Sequence, residues 1–219
     1  MTTEGHASTV SSTEVRHPLF ARFFNRFIGL MERELGDRRR ELLAGLSGRV
    51  LEVGAGNGMN FRHYPATVDQ VVAFEPEPYL RGKAEAAARD APVNVSVGSA
   101  AAYPLPLEDA SVDAAVTSLV LCTVPDPQAA LAELRRVLEA AGELRFMEHV
   151  RSDRPRKARV QDWSDRSGIW PRVAGGCHCA RDTVAAIEAA GFEIERVSGF
   201  GLGPSWGITH PHVIGVARA

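Results

Sequence analysis

The 219-residue chain is poor in cysteine, nearly balanced in charge and without a long apolar run, and each shortage removes a class of protein. Its three cysteines, two of them one residue apart at Cys177 and Cys179, make no disulfide framework and suit a reducing, cytoplasmic setting. With 25 basic against 27 acidic residues the formal charge is −2, which leaves no cationic footprint for nucleic acid. No apolar stretch approaches the roughly 20 residues that span a bilayer. The polar start from Met1 to Glu14 also lacks the apolar core of a signal peptide. Zinc requires about four ligands in spaced pairs, and three consecutive residues such as Cys177-His178-Cys179 cannot converge on one ion, so no metal is expected. The expected partner is a small molecule, not a nucleic acid or a membrane. Internal repeats and low-complexity segments are missing too.

What remains is an ordinary globular composition, 45% hydrophobic and 24% charged, in a chain long enough to bury one core without cross-links. Residues 1–15 are expected to be disordered or loosely held. From Phe20 to Leu35 apolar residues recur at helical spacing, Gly36 interrupts, and a second helix is expected over Arg38 to Leu46. Short apolar runs follow at 50–53, 70–74, 93–97, 112–121, 144–150, 192–197 and 212–217, separated by helical patterns at Tyr79 to Arg89, from Pro127 to Gly142, and from a cap at Asp182 or Thr183 to Ala190. Asp153 to Gly176 reads as a helix plus irregular loop. Strands alternating with helices predict a Rossmann-like, doubly wound α/β sheet of seven mostly parallel strands, with helices on both faces and an N-terminal helical lid. Ligands bind such sheets beyond the carboxyl ends of the strands, so the residues just after each strand carry the interest.

After the first strand stands Leu51-Glu52-Val53-Gly54-Ala55-Gly56-Asn57-Gly58. Glycines here let the backbone approach a ligand and take conformations other residues avoid. A dinucleotide fold would space them G-x-G-x-x-G around a pyrophosphate. The spacing is instead G-x-G-x-G with Glu52 at the strand end, which suits a ligand carrying an amino acid and an adenosine. Glu75, about 17 residues beyond Gly58, is placed to accept hydrogen bonds from ribose hydroxyls, although a solvated acid at a strand end reads the same way alone.

Gly98-Ser99-Ala100 and then Pro104-Leu105-Pro106-Leu107-Glu108-Asp109-Ala110-Ser111-Val112-Asp113 complete a series. With the glycine loop and Glu75, it resembles the class I S-adenosylmethionine-dependent methyltransferases over about residues 48–150. Gly58-Met59-Asn60-Phe61 with Tyr64-Pro65, Leu119 to Val124, Phe146 to Val150, and Ser205-Trp206 with Pro211-His212 are similar to the methyltransferase-like thiol methyltransferases and their soluble bacterial relatives. Animal members carry an N-terminal membrane-anchoring segment; here the start is polar. The resemblance implies one domain over residues 16–219, with a lid at 16–47, a cofactor-binding half at 48–150 and an acceptor-side half at 151–219. It implies S-adenosyl-L-methionine as cofactor, released as S-adenosyl-L-homocysteine. Glu52 would help position the methionine amino group within the turn of Gly54, Ala55, Gly56 and Gly58, with Asn60 beside it. Glu75 would take the ribose, next to Pro76. Ser99 and Ala100 would face the adenine, Ser99 standing where many members have aspartate, and Thr117 and Ser118 would close the methionine side.

The acceptor decides how much base is needed. A thiol near pKa 8.5 is a few per cent ionised at neutral pH, whereas a phenol or alcohol needs help. His149, at the end of the fifth strand, is the first candidate base, with a histidine satisfied by the core as the competing reading. Phe20, Phe24 and Trp206 are candidates for an apolar cover over the acceptor, and helix packing explains them as well. The expectation is methylation of a small, mostly apolar acceptor, a thiol first, with oxygen or nitrogen next and a non-catalytic cofactor binder last.

Overall fold

The computed structural model describes residues 35–202 and 210–219. The expected loose start, the lid up to residue 34, Phe20, Phe24 and Trp206 lie outside the described residues. Seven strands form one sheet: β1 (Gly48–Val53), β2 (Val68–Phe74), β3 (Asn94–Gly98), β4 (Val112–Ser118), β5 (Leu138–His149), β6 (Glu193–Leu202) and β7 (His210–Arg218). Their order is β3-β2-β1-β4-β5-β7-β6. The four pairings among β1 to β5 are parallel, and β7 runs antiparallel between β5 and β6. The chain winds outward from β1 through β2 to β3 and restarts at β4 on the other side of β1. The crevice for a ligand therefore opens above β1 and β4.

Each face of the sheet carries its own apolar core. Residues 35–43 form helix α1, and with α2 (Pro78–Ala88) it covers one face, where Leu35, Leu42, Leu43, Val50, Phe61, Val116, Met147 and Ile214 are buried together. Helices α3 (Pro127–Val137) and α6 (Thr183–Ala189) cover the other over Leu51, Ala115, Leu131, Leu134, Leu144, Phe146 and Ile187. Val50 and Leu51 are adjacent and both fully buried, which only a strand covered on both faces allows. Three helix starts, those of α2, α3 and α6, carry an acidic side-chain cap. Glu77 accepts from Leu80 N ahead of Pro78, and Asp126 accepts from Gln128 N and Ala129 N ahead of Pro127. Asp182 caps α6 through Ala185 N, as its position suggested. Helices α4 (Pro155–Arg166) and α5 (Ile169–Val173) fill the segment between β5 and α6.

Three local expectations change. Gly36 is helical within α1 and buried, where an interruption was expected. The fourth strand ends at Ser118, three residues short of its apolar run, because Leu119 turns the chain with φ of 62°. Gly142 terminates no helix. Helix α3 ends at Val137, and Leu138 already pairs with Val112. A Cβ on Gly142 would sit 2.9 Å from Glu139 O and 3.1 Å from Asp113 O, so the glycine permits the backbone to close on the bulge that leads into the regular part of β5.

Asp126→Ala removes the acceptor for two amide groups at the start of α3. It is expected to cost about 1 kcal/mol, read as a fall in Tm of about 2–4 °C. An unchanged melting curve would mean that water replaces the cap fully.

Candidate active site

The turn after β1 is built from glycines because side chains do not fit. Gly54 has φ of 66°, and a Cβ there would lie 2.6 Å from Val120 Cγ2. Gly58 has φ of 79°, and a Cβ there would lie 2.8 Å from Ala87 and 2.9 Å from the Phe61 ring. The loop thus packs against the turn after β4 on one side and α2 on the other.

Glu52 ends β1 pointing to the α1 face and is 2% exposed. Asn60 Nδ2 donates to one oxygen at 2.9 Å and the Tyr64 hydroxyl to the other at 2.6 Å. Arg39 of α1 donates in turn to Asn60 Oδ1 at 2.5 Å. Burial raises the Glu52 carboxyl from 4.5 to about 7, against the opposing pull of Tyr64, Asn60 and Arg39. Two donors leave lone pairs on both carboxylate oxygens, so a further cation can still be received.

Glu75 lies just past β2, 6% exposed, and spans two backbone amides: Gly56 N at 2.8 Å and Glu77 N at 2.9 Å. Burial raises its pKa, and the two amide bonds oppose the rise. The acid is therefore fixed across the mouth of the glycine turn beside Pro76, and oriented before any ligand arrives. Arg81 Nη1 reaches the carbonyls of Glu75 and Pro76 and donates to Ser99 Oγ at 3.1 Å. With its oxygen held, Ser99 has its own O–H to offer outward; Ala100 is half-buried next to it. Thr117, at the end of β4, is fully buried with no hydrogen-bond partner for Oγ1 among the described residues. Ser118 follows it. A cofactor with an ammonium, ribose hydroxyls and an adenine fits this set: an oriented pair of carboxylates, a Cβ-free turn and an unspent buried hydroxyl.

Across the switch point, Glu148 and His149 diverge from β5, as strand alternation requires. Glu148 is fully buried and accepts from Val120 N, Leu121 N and Cys122 N, each at 3.1 Å. His149 joins a cluster instead. Its ring stacks on His212 at 4.8 Å and meets His210 edge-on at 5.5 Å and Trp170 edge-on at 6.3 Å. Nδ1 lies 3.4 Å from Cys177 Sγ, and Nε2 is buried without a partner among the described residues. Burial first, then His212 and His210, push its pKa from 6.5 down to about 3. His212 is likewise lowered to about 4, chiefly by burial. These imidazoles are neutral at physiological pH and weakly basic.

The structure places the described residues of the expected cofactor set at the carboxyl ends of β1 to β4, and His149 at the end of β5. Sequence reasoning passed over Arg39 and Tyr64 as supports for Glu52. The sequence reading offers His210 and His212 as residues that could edge the pocket, but it missed the approach of Trp170 and Cys177 to His149 and of the Cys122 turn to the Cys177 loop. The available signal was position: Cys122 follows a strand end, as ligand-facing residues do in this fold.

Glu52 gives a measurable pH dependence. A carboxyl raised from 4.5 to about 7 on folding contributes stability that is present below 4.5 and lost as pH climbs through 7. Without ligand, the stability gap between the wild type and Glu52→Gln should shift in favour of the variant by on the order of 3 kcal/mol from pH 4.5 to 8. Urea denaturation across that range checks it, and a constant gap would show that Glu52 is ionised throughout.

The geometry agrees with comparison to known proteins. Residues 51–146 match the family model described as a methyltransferase domain. The chain is 31% identical over 214 residues to human thiol S-methyltransferase TMT1A, covering 90% of this chain and 85% of that one. It is 31% identical to mouse thiol S-methyltransferase TMT1B, over 91% of this chain and 87% of the relative. Among solved structures, an S-adenosylmethionine-dependent methyltransferase of Thermotoga maritima superposes with a TM-score of 0.67 at 21% identity, over 91% of this chain and 98% of that one. Relatives of this identity and extent, with the match to a methyltransferase domain, place the chain among the S-adenosylmethionine-dependent methyltransferases, in the family that includes TMT1A and TMT1B.

Proposed function

We propose that the methyl acceptor of this enzyme is the sulfur of a small, mostly apolar thiol. The observation that carries the reading is the weakness of the base on the acceptor side. S-Adenosylmethionine, when bound, supplies an activated methyl group for in-line displacement, and the chain's own residues must then hold and ionise the acceptor. His149, with a pKa of about 3, is too weak a base to prepare an alcohol or a phenol. A thiol ionises unaided to a useful degree. His149 in this reading orients the sulfur through its unpartnered Nε2, and Trp170, His210 and His212 keep the pocket dry. The relatives named thiol S-methyltransferases support the same choice.

The same reading assigns the cofactor half. Glu52, supported by Asn60 and Tyr64, favours the methionine ammonium, and Gly54, Ala55, Gly56 and Gly58 curve around that end of the molecule. Glu75 accepts from the ribose hydroxyls beside Pro76, Ser99 and Ala100 meet the adenine, and Thr117 and Ser118 close the methionine side. Glu75→Ala should weaken S-adenosylhomocysteine binding about 10- to 150-fold, as expected for losing charge-assisted hydrogen bonds worth about 1.5–3 kcal/mol. Calorimetric titration reads this, and an unchanged Kd would remove Glu75 from the site.

A methyl-transfer assay over thiols, phenols and amines, reading S-adenosylhomocysteine release, tests the acceptor. Thiols should turn over, and kcat/KM should rise with pH until the pKa of the thiol used, shifting when a more acidic thiol replaces it. His149→Ala should slow turnover less than about tenfold above pH 8. Turnover of phenols or amines alone would overturn the reading, as would a loss of several orders of magnitude in that variant.

A further inference from the structure

Two of the three cysteines form a matched pair beside the acceptor pocket. Cys122 follows β4 in the turn closed by Glu148 and is 1% exposed, whereas Cys177 is half-buried in the loop after α5. His178 N donates to Cys122 O at 2.7 Å, so the two segments run side by side. Arg181 fastens them further by donating to the carbonyls of Leu121 and Val124, each at 2.7 Å. Because His178 directly follows Cys177, its backbone bond to Cys122 brings the two cysteines together, and Cys177 Sγ is 3.4 Å from His149 Nδ1. Their acidities separate. The Cys177 thiol is lowered, first by the hydrogen bond from Cys122, against burial. The Cys122 thiol is raised well above its ordinary value by the same contact and by burial. Cys179 has neither feature: burial and the Asp165 carboxylate, 3.3 Å from its sulfur, push it up to about 12.

A half-buried sulfur backed by a fully buried one is the arrangement in which the outer thiol can attack a disulfide and the inner one then release the product. We propose that Cys122 and Cys177 form a second reactive site that reduces small-molecule disulfides by thiol–disulfide exchange. The Cys177 thiolate attacks one sulfur of R–S–S–R, forming a mixed disulfide and expelling R–S⁻. The Cys122 sulfur then attacks the Cys177 sulfur, closing a Cys122–Cys177 disulfide and expelling the second R–S⁻. The two enzyme thiols lose two electrons, the small disulfide gains them, and the two thiol protons end on the two released thiols. Exchange delivers free thiol beside the methyl-transfer pocket. That the disulfide is the oxidised form of the methyl acceptor rests on the thiol reading above; the exchange chemistry does not.

The test uses the full chain with 2-hydroxyethyl disulfide and no S-adenosylmethionine, following free thiols and intact mass. The wild type should lose two of its three thiols and about 2 Da, and digestion should yield a linked Cys122–Cys177 peptide. Cys122→Ser should stop at the mixed disulfide on Cys177, about 76 Da heavier and reversed by added thiol. Cys177→Ser should react at least about tenfold more slowly, since the remaining sulfur of the pair is buried. Retention of all three thiols by the wild type would overturn the proposal, as would a linked peptide containing Cys179 or undiminished reaction of Cys177→Ser. If Cys122→Ser does not fold, the wild-type peptide map decides alone. Because the cofactor is absent from this assay, exchange without any thiol methylation would defeat only the acceptor reading, and methylation without exchange would defeat only this one.

Discussion

The Glu148 carboxylate, closed on three successive backbone amides, is the constraint from which both halves of the site are hung. It draws Val120 N, Leu121 N and Cys122 N inward, and that geometry requires the left-handed turn at Leu119. A non-glycine residue in that conformation costs of order 1–3 kcal/mol, which charge-assisted amide bonds offset. The turn puts Val120 against Gly54, fixing the glycine loop on the cofactor side, and puts Cys122 against Cys177 and His178 on the acceptor side. One buried acid thereby ties the glycine loop and the Cys177 loop to the same turn. An alanine there would leave three inward-facing amides unanswered, and both walls would move together.

Glu52 performs a parallel task two strands away, on β1, with different partners. Its partners are side chains from other elements, Asn60, Tyr64 and, through Asn60, Arg39. Helix α1 is thus coupled to the end of β1 by polar contacts as well as by the packing of Leu35, Leu42 and Leu43. Burial raises Glu148 against its three amides, and it likewise prevails over the partners of Glu52, raising that carboxyl to about 7. Such a group responds to an incoming ammonium by ionising fully. Ligand charge and the seating of α1 are then linked through one titration.

Sequence reasoning reached the fold because patterns of period two and period 3.6 are local, and so are the glycines and acids that follow strands. Gly54, Gly58, Glu75 and the Asp182 cap could all be placed from neighbours in the chain. It failed where tertiary contacts overrode a local rule. Gly142 resembles a helix stop, yet it serves a bulge against Asp113 O, 29 residues away. The strand expected to reach Leu121 is cut at Ser118 by a carboxylate 30 residues further on. His149 was legible as a candidate, but its low basicity was not, since that depends first on burial in the folded chain and then on His212 and His210 from the last strand. Cys177 looked like part of a local Cys-His-Cys motif. Its actual partners, Cys122 and His149, come from the turn after β4 and the end of β5, and Cys179 turns away to Asp165.

The proposed acceptor site and the proposed dithiol share a chemical logic. A strong base would help hard acceptors and do little for a soft one. A neutral imidazole wall excludes water, leaves a sulfur anion undisturbed by competing protons, and gives it one donor at a time. The same wall keeps the Cys177 thiolate from being drawn into an ion pair with imidazolium, which would lower its nucleophilicity along with its pKa. Both proposed reactions at this end of the sheet, transfer to sulfur and exchange between sulfurs, thus ask the protein for one environment. The histidines would supply it by staying uncharged, and that follows first from their burial at the ends of β5 and β7.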